Sequence, residues 1–133
     1  MRISREKLRS KLIAKVEEMS GEDISTCYQC GKCSAGCPVE AEMGISPHRA
    51  IRLLQLGCDA EALEFEAIWL CASCHTCESR CPKGFDLSKI MEALRMIRLR
   101  EGYMPLDVNQ LLEEILATAP QQAIVGSYRK YTS

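Results

Sequence analysis

The chain has 133 residues, with 17 basic and 18 acidic side chains and a net charge of -1. This length suits one domain with a modest core, over residues 1–133, and the balanced charge favours neither nucleic acid nor an anionic membrane surface as a partner. Aromatic residues make up only 5% of the chain whereas cysteine occurs nine times, so we expect an aliphatic, sulfur-rich interior.

The N-terminal segment has the pattern of a surface helix. Between Ser4, a possible N-cap, and Gly21, a possible terminator, apolar residues recur at helical spacing at Leu8, Leu12, Val16 and Met19. A helix is therefore predicted over about residues 4–19. This segment contains no apolar stretch of signal-peptide length, so we expect a cytoplasmic protein. No apolar run in the chain approaches the roughly 20 residues needed to span a bilayer, so an integral membrane protein is not expected.

A cysteine-rich run with the sequence CYQCGKCSAGCP follows at residues 27–38. Behind it, Ser46 is a capping residue, Pro47 suits the first helical position and Gly57 can end a helix. The segment between them carries an apolar stripe, so a helix is predicted from Ser46–Pro47 to Gly57. His48, in its first turn, is expected to face solvent.

A second cysteine-rich run, CASCHTCESRCP at residues 71–82, repeats all four cysteine positions of the first after 44 residues. Asp59 can cap a helix that leads into this run and ends at Leu70. Helical sequence precedes each run and Cys-Pro closes it. The chain is therefore a pseudo-duplicate with its cysteines at helix junctions.

Two more helices and a tail are expected after the second run. Asp86 can cap a helix ending near Gly102. Near its end lie Arg95, Arg98 and Arg100, for which a solvated face is expected and a docking surface is the alternative. Asp107 with Gln110 resembles a capping box for a fifth helix that stops before Pro120. The tail over about residues 120–133 has no clear periodicity. Because no segment alternates like a strand, we predict an all-α fold with about five helices around two cysteine-rich loops.

Both runs read C-x-x-C-x-x-C-x-x-x-C-P, which is the ligand spacing of bacterial-type 4Fe-4S clusters. We therefore predict two 4Fe-4S clusters, with the backbone wrapped closely enough for N–H groups to reach the sulfurs. In two-cluster ferredoxins the fourth cysteine of each run ligates the other cluster, and we carry this crossing over. Cluster one is then expected on Cys27, Cys30, Cys33 and Cys81. Cluster two is expected on Cys71, Cys74, Cys77 and Cys37.

Other sites fit parts of this pattern. Repeated C-x-x-C pairs can bind zinc, although zinc motifs usually separate their pairs by a long spacer. Cys71 to His75 matches C-x-x-C-H, the attachment motif of c-type haem, which normally requires export. His75 could instead donate to a cluster sulfur or be a partly exposed loop histidine. Cys58 lies outside both runs and is expected to be a small buried hydrophobe.

Three segments, CYQCGKCSAGCP, ISPHRAIRLLQLG and IWLCASCHTCESRCPKG, carry a more specific resemblance in their order and spacing. Through them the chain resembles the C subunit of heterodisulfide reductase over about residues 20 to 103. The resemblance implies an α-helical ferredoxin fold that carries two complete 4Fe-4S clusters. It also implies a relay of electrons from the flavin- and cluster-containing A subunit to the catalytic B subunit of such an enzyme, with no catalytic residue and no activity in this chain alone.

Two further functions stay open as hypotheses. The chain could be the iron-sulfur subunit of a quinone-linked or glycolate-oxidase-like dehydrogenase, or a structural metal protein without a redox role. Under the leading interpretation, the terminal substrate is the mixed disulfide of coenzymes M and B or another sulfur compound.

Overall fold

The computed structural model describes residues 10–103, 105 and 113–131 of the chain. These residues form α-helices and short 3-10 turns, and none of them lies in a β-strand. The all-α prediction is therefore confirmed. The chain divides into two compact units, residues 1–94 and 95–133.

Helix α1, Lys11–Ser20, opens the described part of the first unit. The Ser10 side chain accepts the N–H of Ile13 at 3.2 Å, and Gly21 ends the helix in the left-handed region with φ 70°. Ser10 thus provides the N-terminal cap with an extended backbone, ψ 158°, so the helix predicted over about residues 4–19 is wrong at its start. Ser4 itself lies outside the described residues. Gly21 ends the helix as predicted, because glycine adopts positive φ without a steric penalty.

Two short helices, α2 (Lys32–Ala35) and α6 (Thr76–Arg80), lie within the cysteine-rich runs and pack against each other. Gly36 and Arg80 occupy equivalent positions of the two runs, and a Cβ at Gly36 would overlap the Arg80 side chain. A glycine therefore permits the close contact between the two halves of the repeat.

Helix α3, Pro47–Gln55, confirms the helix predicted after Ser46. The cap differs from the prediction, because the Ser46 side chain makes no capping hydrogen bond. The hydroxyl of Ser34 accepts the N–H of His48 at 3.1 Å instead. The first cysteine-rich run thus supplies the capping oxygen of α3.

The single helix predicted from Asp59 to Leu70 is wrong, because the chain forms α4, Asp59–Glu64, and α5, Ala67–Leu70. Between them Phe65 is extended, with ψ 128°. Ala62 is buried in α4, and Ala67 and Ile68 are buried in α5. Residues five and six apart do not share a face of one helix, so the break lets all three side chains reach the core.

Helix α7, Leu87–Arg100, follows the second run and begins behind Asp86, as predicted. The Asp86 carboxylate accepts the N–H of Ser88 at 2.9 Å. Around this helix the first unit has an aliphatic core, whose fully buried members include Val16, Ile51, Leu54, Ile68, Ile90 and Met91. Burying each such side chain stabilises the fold by roughly 1.5–3 kcal/mol.

The second unit contains the last turns of α7, then α8 (Glu113–Thr118) and α9 (Gln121–Tyr131). Helix α8 ends before Pro120 as predicted, whereas the capping box at Asp107 lies outside the described residues. The unassigned tail forms α9, and its first turn includes a 2.9 Å hydrogen bond from the Ala123 N–H to the Pro120 carbonyl. Arg95 is only 5% exposed, so the solvated face predicted for it is wrong.

Candidate metal centre

The two cysteine-rich runs share one backbone conformation. Gln29 and Gly31 have φ of 63° and 76°, and the equivalent Ser73 and His75 have φ of 50° and 56°. Only glycine adopts this left-handed region freely, so three of these four residues are held there against their own preference.

The backbone hydrogen bonds repeat as well. The Cys37 N–H donates to the Ser34 carbonyl at 3.1 Å, and the Cys81 N–H donates to the Glu78 carbonyl at 2.9 Å. In both runs the donor is the N–H of the cysteine that precedes the closing proline. The pseudo-duplication seen in the sequence is therefore a duplication of local structure.

One cavity lies between the runs and is partly open to solvent. Its cysteines are Cys27, Cys30 and Cys33 of the first run with Cys77 and Cys81 of the second. Phe85 and Leu87 form an apolar part of the wall of this cavity. The four cysteines predicted for cluster one thus face a common space.

A second cavity of similar size lies beside the first. Its cysteines are Cys71, Cys74 and Cys77 of the second run with Cys37 of the first. Cys77 and Leu87 line both cavities. The four cysteines predicted for cluster two are therefore also brought together, and each cavity contains the fourth cysteine of the opposite run.

The thiols of these cavities fit a cationic metal centre. Burial raises the pKa of Cys27, Cys33 and Cys37, and it raises the pKa of Cys77 to about 11. Neighbouring thiolates add to the effect, since Cys81 acts on Cys27 and Cys71 acts on Cys37. Several sulfurs in one apolar space resist ionisation together unless positive charge compensates them, and iron supplies that charge.

Main-chain N–H groups also point at the sulfurs. The N–H of Lys32 lowers the pKa of Cys30, and the hydroxyl and N–H of Thr76 lower the pKa of the equivalent Cys74. The Gln29 N–H reaches Cys27 in the same way. These donors stabilise negative charge on sulfur, as the predicted backbone wrapping requires.

Two glutamines beside the first cavity were not anticipated from the sequence. Gln55 Nε2 donates to the carbonyls of Ile24 at 3.0 Å and Cys27 at 2.8 Å. Gln29 Nε2 lies 3.4 Å from Cys27 Sγ and 3.4 Å from Gln55 Oε1. Because Gln55 is 28 residues from Cys27, their contact could not be predicted from a local sequence pattern.

Ser34 and His48 form a second contact that the sequence analysis missed. Ser34 Oγ lies 2.7 Å from His48 Nδ1, and Ser34 is only 9% exposed. His48 is half-buried and lines the first cavity. The prediction that it faces solvent is wrong, because its ring is needed to satisfy a buried hydroxyl.

His75 belongs to a polar network beside the second cavity. Its Nδ1 lies 3.0 Å from Ser88 Oγ and 3.3 Å from a carboxylate oxygen of Asp86. Lys89 Nζ lies 3.7 Å from the same carboxylate, which is 1% exposed. Burial raises the pKa of Asp86, but hydrogen bonds from Ser88 and the charge of His75 outweigh it, so the net pKa is lowered.

His75 Nδ1 therefore faces oxygens rather than a cysteine sulfur. With its side chain 56% exposed, it matches the predicted partly exposed loop histidine more closely than a sulfur donor.

The ninth cysteine, Cys58, stands apart from the eight. It is half-buried at the N-terminal end of α4 and lines neither cavity.

No helix in the described ranges is long and apolar enough to cross a bilayer.

Comparison with protein families identifies the same region of the chain. The family model of a 4Fe-4S dicluster domain matches residues 23–85, which include both cysteine-rich runs.

Curated relatives extend the similarity beyond this segment. The chain is 33% identical over 107 residues to the C subunit of the ferredoxin:CoB-CoM heterodisulfide reductase of Methanosarcina mazei, covering 80% of this chain and 66% of the relative. It is 34% identical over 96 residues to the iron-sulfur C subunit of the CoB--CoM heterodisulfide reductase of Methanopyrus kandleri, covering 71% of this chain and 50% of the relative. With the second such iron-sulfur C subunit of Methanocaldococcus jannaschii it shares 37% over 90 residues, which are 65% of this chain and 48% of the relative. The aligned part thus spans about half to two thirds of these relatives' length.

Proposed function

Because the chain belongs to the 4Fe-4S dicluster family that includes the C subunits of heterodisulfide reductases, we propose that it is an electron-transfer subunit of such a complex. One observation carries the proposal: two neighbouring cavities are lined by five and four cysteines of the repeat, and each includes one predicted set of four ligands. Bound there, 4Fe-4S clusters supply one-electron redox chemistry.

The proposed ligand sets are those predicted from the sequence. Cys27, Cys30, Cys33 and Cys81 would hold cluster one. Cys71, Cys74, Cys77 and Cys37 would hold cluster two. The chain's contribution is to fix the sulfurs, to exclude water with residues such as Phe85 and Leu87, and to direct N–H donors at the thiolates.

The proposed partners follow from the family resemblance. A flavin- and cluster-containing A subunit would deliver electrons, and a B subunit would perform the disulfide or sulfur chemistry, in the cytoplasm. This chain offers sulfur ligands and their supporting contacts, so no activity is expected from it alone. Co-purification of both partners from the native host supports this assignment, whereas recovery of a membrane anchor or an organic-acid dehydrogenase supports the quinone-linked alternative.

Anaerobic purification tests the cofactor assignment. About eight irons and eight sulfides per chain are expected, with a coupled EPR spectrum after dithionite reduction, since two 4Fe-4S clusters lie close together. A zinc-loaded chain, silent in EPR, would instead support a structural metal protein.

Single alanine variants test the crossing of the fourth ligands. If it is correct, Cys37→Ala loses the same cluster signal as Cys74→Ala, and Cys81→Ala loses the same signal as Cys30→Ala. The opposite pairing, in which each variant matches a variant of its own run, would refute the crossing. Iron content per chain shows in each case that only one cluster is affected.

A further inference from the structure

The side chains of Gln55 and Gln29 form a chain of hydrogen bonds that ends on a cysteine sulfur. Gln55 Nε2 donates to the carbonyls of Ile24 and Cys27, at 3.0 and 2.8 Å. Both partners are acceptors only, so they use both N–H groups of this amide and fix its orientation. The amide oxygen of Gln55 must then face away from the main chain.

This orientation determines that of the second amide. Gln55 Oε1 is 3.4 Å from Gln29 Nε2 and also accepts from Arg52 Nη1 at 3.3 Å. Gln29 therefore turns its amino group toward Gln55, and the same amino group lies 3.4 Å from Cys27 Sγ. An amide nitrogen carries two hydrogens, one for each of these acceptors.

The backbone at position 29 does not by itself call for glutamine. Gln29 has φ 63°, a conformation that favours glycine, and the equivalent Ser73 of the second run adopts the same region with φ 50°. A short side chain satisfies the fold there. The amide at position 29 thus adds a contact with sulfur that the loop geometry does not need.

The arrangement is not repeated in the sequence of the second half. After the shift of 44 residues, Gln29 corresponds to Ser73, Arg52 to Met96 and Gln55 to Leu99. Neither amide nor guanidinium recurs. The glutamine pair therefore belongs to the first cluster site and is not repeated at the second.

A hydrogen bond to a ligating thiolate stabilises negative charge, which is greater in the reduced cluster than in the oxidised one. We infer that the Gln29 amide, positioned by Gln55, raises the reduction potential of cluster one by donating to Cys27. Gln55 is a positioning residue, and Gln29 acts directly on the ligand sulfur. The inference rests on the proposed function, because it assumes a cluster bound to Cys27.

Redox titration followed by EPR tests this inference on the anaerobically purified full chain. Cluster one is identified as the signal lost in Cys30→Ala. In Gln29→Leu, which keeps the side-chain size and removes the donor, we expect the equilibrium constant for reduction of cluster one to fall about tenfold. For a one-electron couple this is about 59 mV. Gln55→Leu should lower the same potential, and cluster two should be unchanged in both variants.

Two further variants separate electrostatics from loop structure. Gln29→Lys retains a donor and adds a positive charge, so the potential of cluster one should not fall. Ser73→Ala, at the equivalent position of the second run, should leave the potential of cluster one at its original value. If the leucine and lysine variants lower it equally, the amide has only a structural role and the inference is wrong.

The outcome also distinguishes this inference from the proposed function. Unchanged potentials in Gln29→Leu, with iron content equal to that of the parent protein, overturn the inference alone. Absence of iron and sulfide from the parent protein overturns the proposed function, and the inference with it.

Discussion

Asp86 joins the start of α7 to the loop of the second cysteine-rich run. Its carboxylate accepts the N–H of Ser88 at 2.9 Å and also receives the Ser88 hydroxyl. The same carboxylate lies 3.3 Å from His75 Nδ1. One buried side chain therefore caps a helix and also contacts the ring of His75, whose backbone is left-handed.

Two replacements of Asp86 separate the effect of its capping oxygen from that of its charge. Asp86→Asn retains a capping oxygen but loses the charge, whereas Asp86→Ala loses both. We expect the free energy of unfolding of Asp86→Ala to be lower than that of Asp86→Asn by about 1 kcal/mol, the usual contribution of an N-cap. Thermal unfolding of the cluster-loaded variants, measured side by side by circular dichroism, checks the order. Equal midpoints would show that the cap contributes nothing.

The grouping of eight cysteines at two cavities could be predicted from the sequence, whereas the residues that contact them could not. Cysteine spacing is a local pattern, and the repeat doubles its information. Gln55, by contrast, donates to the carbonyl of Cys27, which is 28 residues away. Glu22 accepts the N–H of Asp86, which is 64 residues away. Such contacts depend on the folded arrangement and leave no periodicity in the sequence.

At the scale of elements, α3 shows how a prediction can be right for an incomplete reason. Ser46 and Pro47 mark the start of the helix, and the helix begins there. The capping oxygen, however, comes from Ser34, which lies next to Cys33 in the first cysteine-rich run. Formation of α3 and closure of the first run are therefore coupled.

Two serine variants measure this coupling. Ser34→Ala removes the acceptor of the His48 N–H and the partner of the His48 ring. We therefore expect the free energy of unfolding to fall by about 1–2 kcal/mol. Ser46→Ala is the matched control, because its side chain makes no capping bond, and it should cost less. Denaturant unfolding of both cluster-loaded proteins provides the comparison. A greater loss from Ser46→Ala would contradict the assignment of the cap.

Helices α4, α5 and α9 show where periodicity fails. The stretch from Asp59 to Leu70 is almost free of helix breakers, so a continuous helix was the natural prediction. Tertiary packing overrides this local preference by burying Ala62, Ala67 and Ile68 together. In α9, the described residues are largely exposed, with Val125 at 57%. Its sequence therefore lacks the apolar stripe from which a buried helix can be predicted.

At the scale of the whole molecule, the first unit has two sources of stability. One is the aliphatic core, which includes Ile51, Leu54, Ile90 and Met91. The other is the proposed pair of clusters, whose ligands join residues 27–38 to residues 71–82. Metal binding contributes directly to folding free energy when the ligands come from distant segments. These two sources support different parts of the chain.

Removal of the metal should therefore affect the chain unevenly. Helices α2 and α6 have only four and five residues, far too few to be stable alone. Without clusters, the raised pKa of the Cys77 thiol also favours a protonated sulfur that no longer helps to hold the loops together. Helix α3 retains its buried face against the aliphatic core.

Hydrogen exchange measured by mass spectrometry after anaerobic chelation tests this division. Peptides from residues 27–38 and 71–82 should lose most of their protection, while those from Pro47–Gln55 should retain a measurable part of it. Reconstitution with iron and sulfide should restore protection to both runs, because the thiolates regain their common centres. If chelated protein shows the same protection in the runs as loaded protein, the clusters do not order these loops. The packing of α2 on α6, with Gly36 against Arg80, would then suffice to hold them.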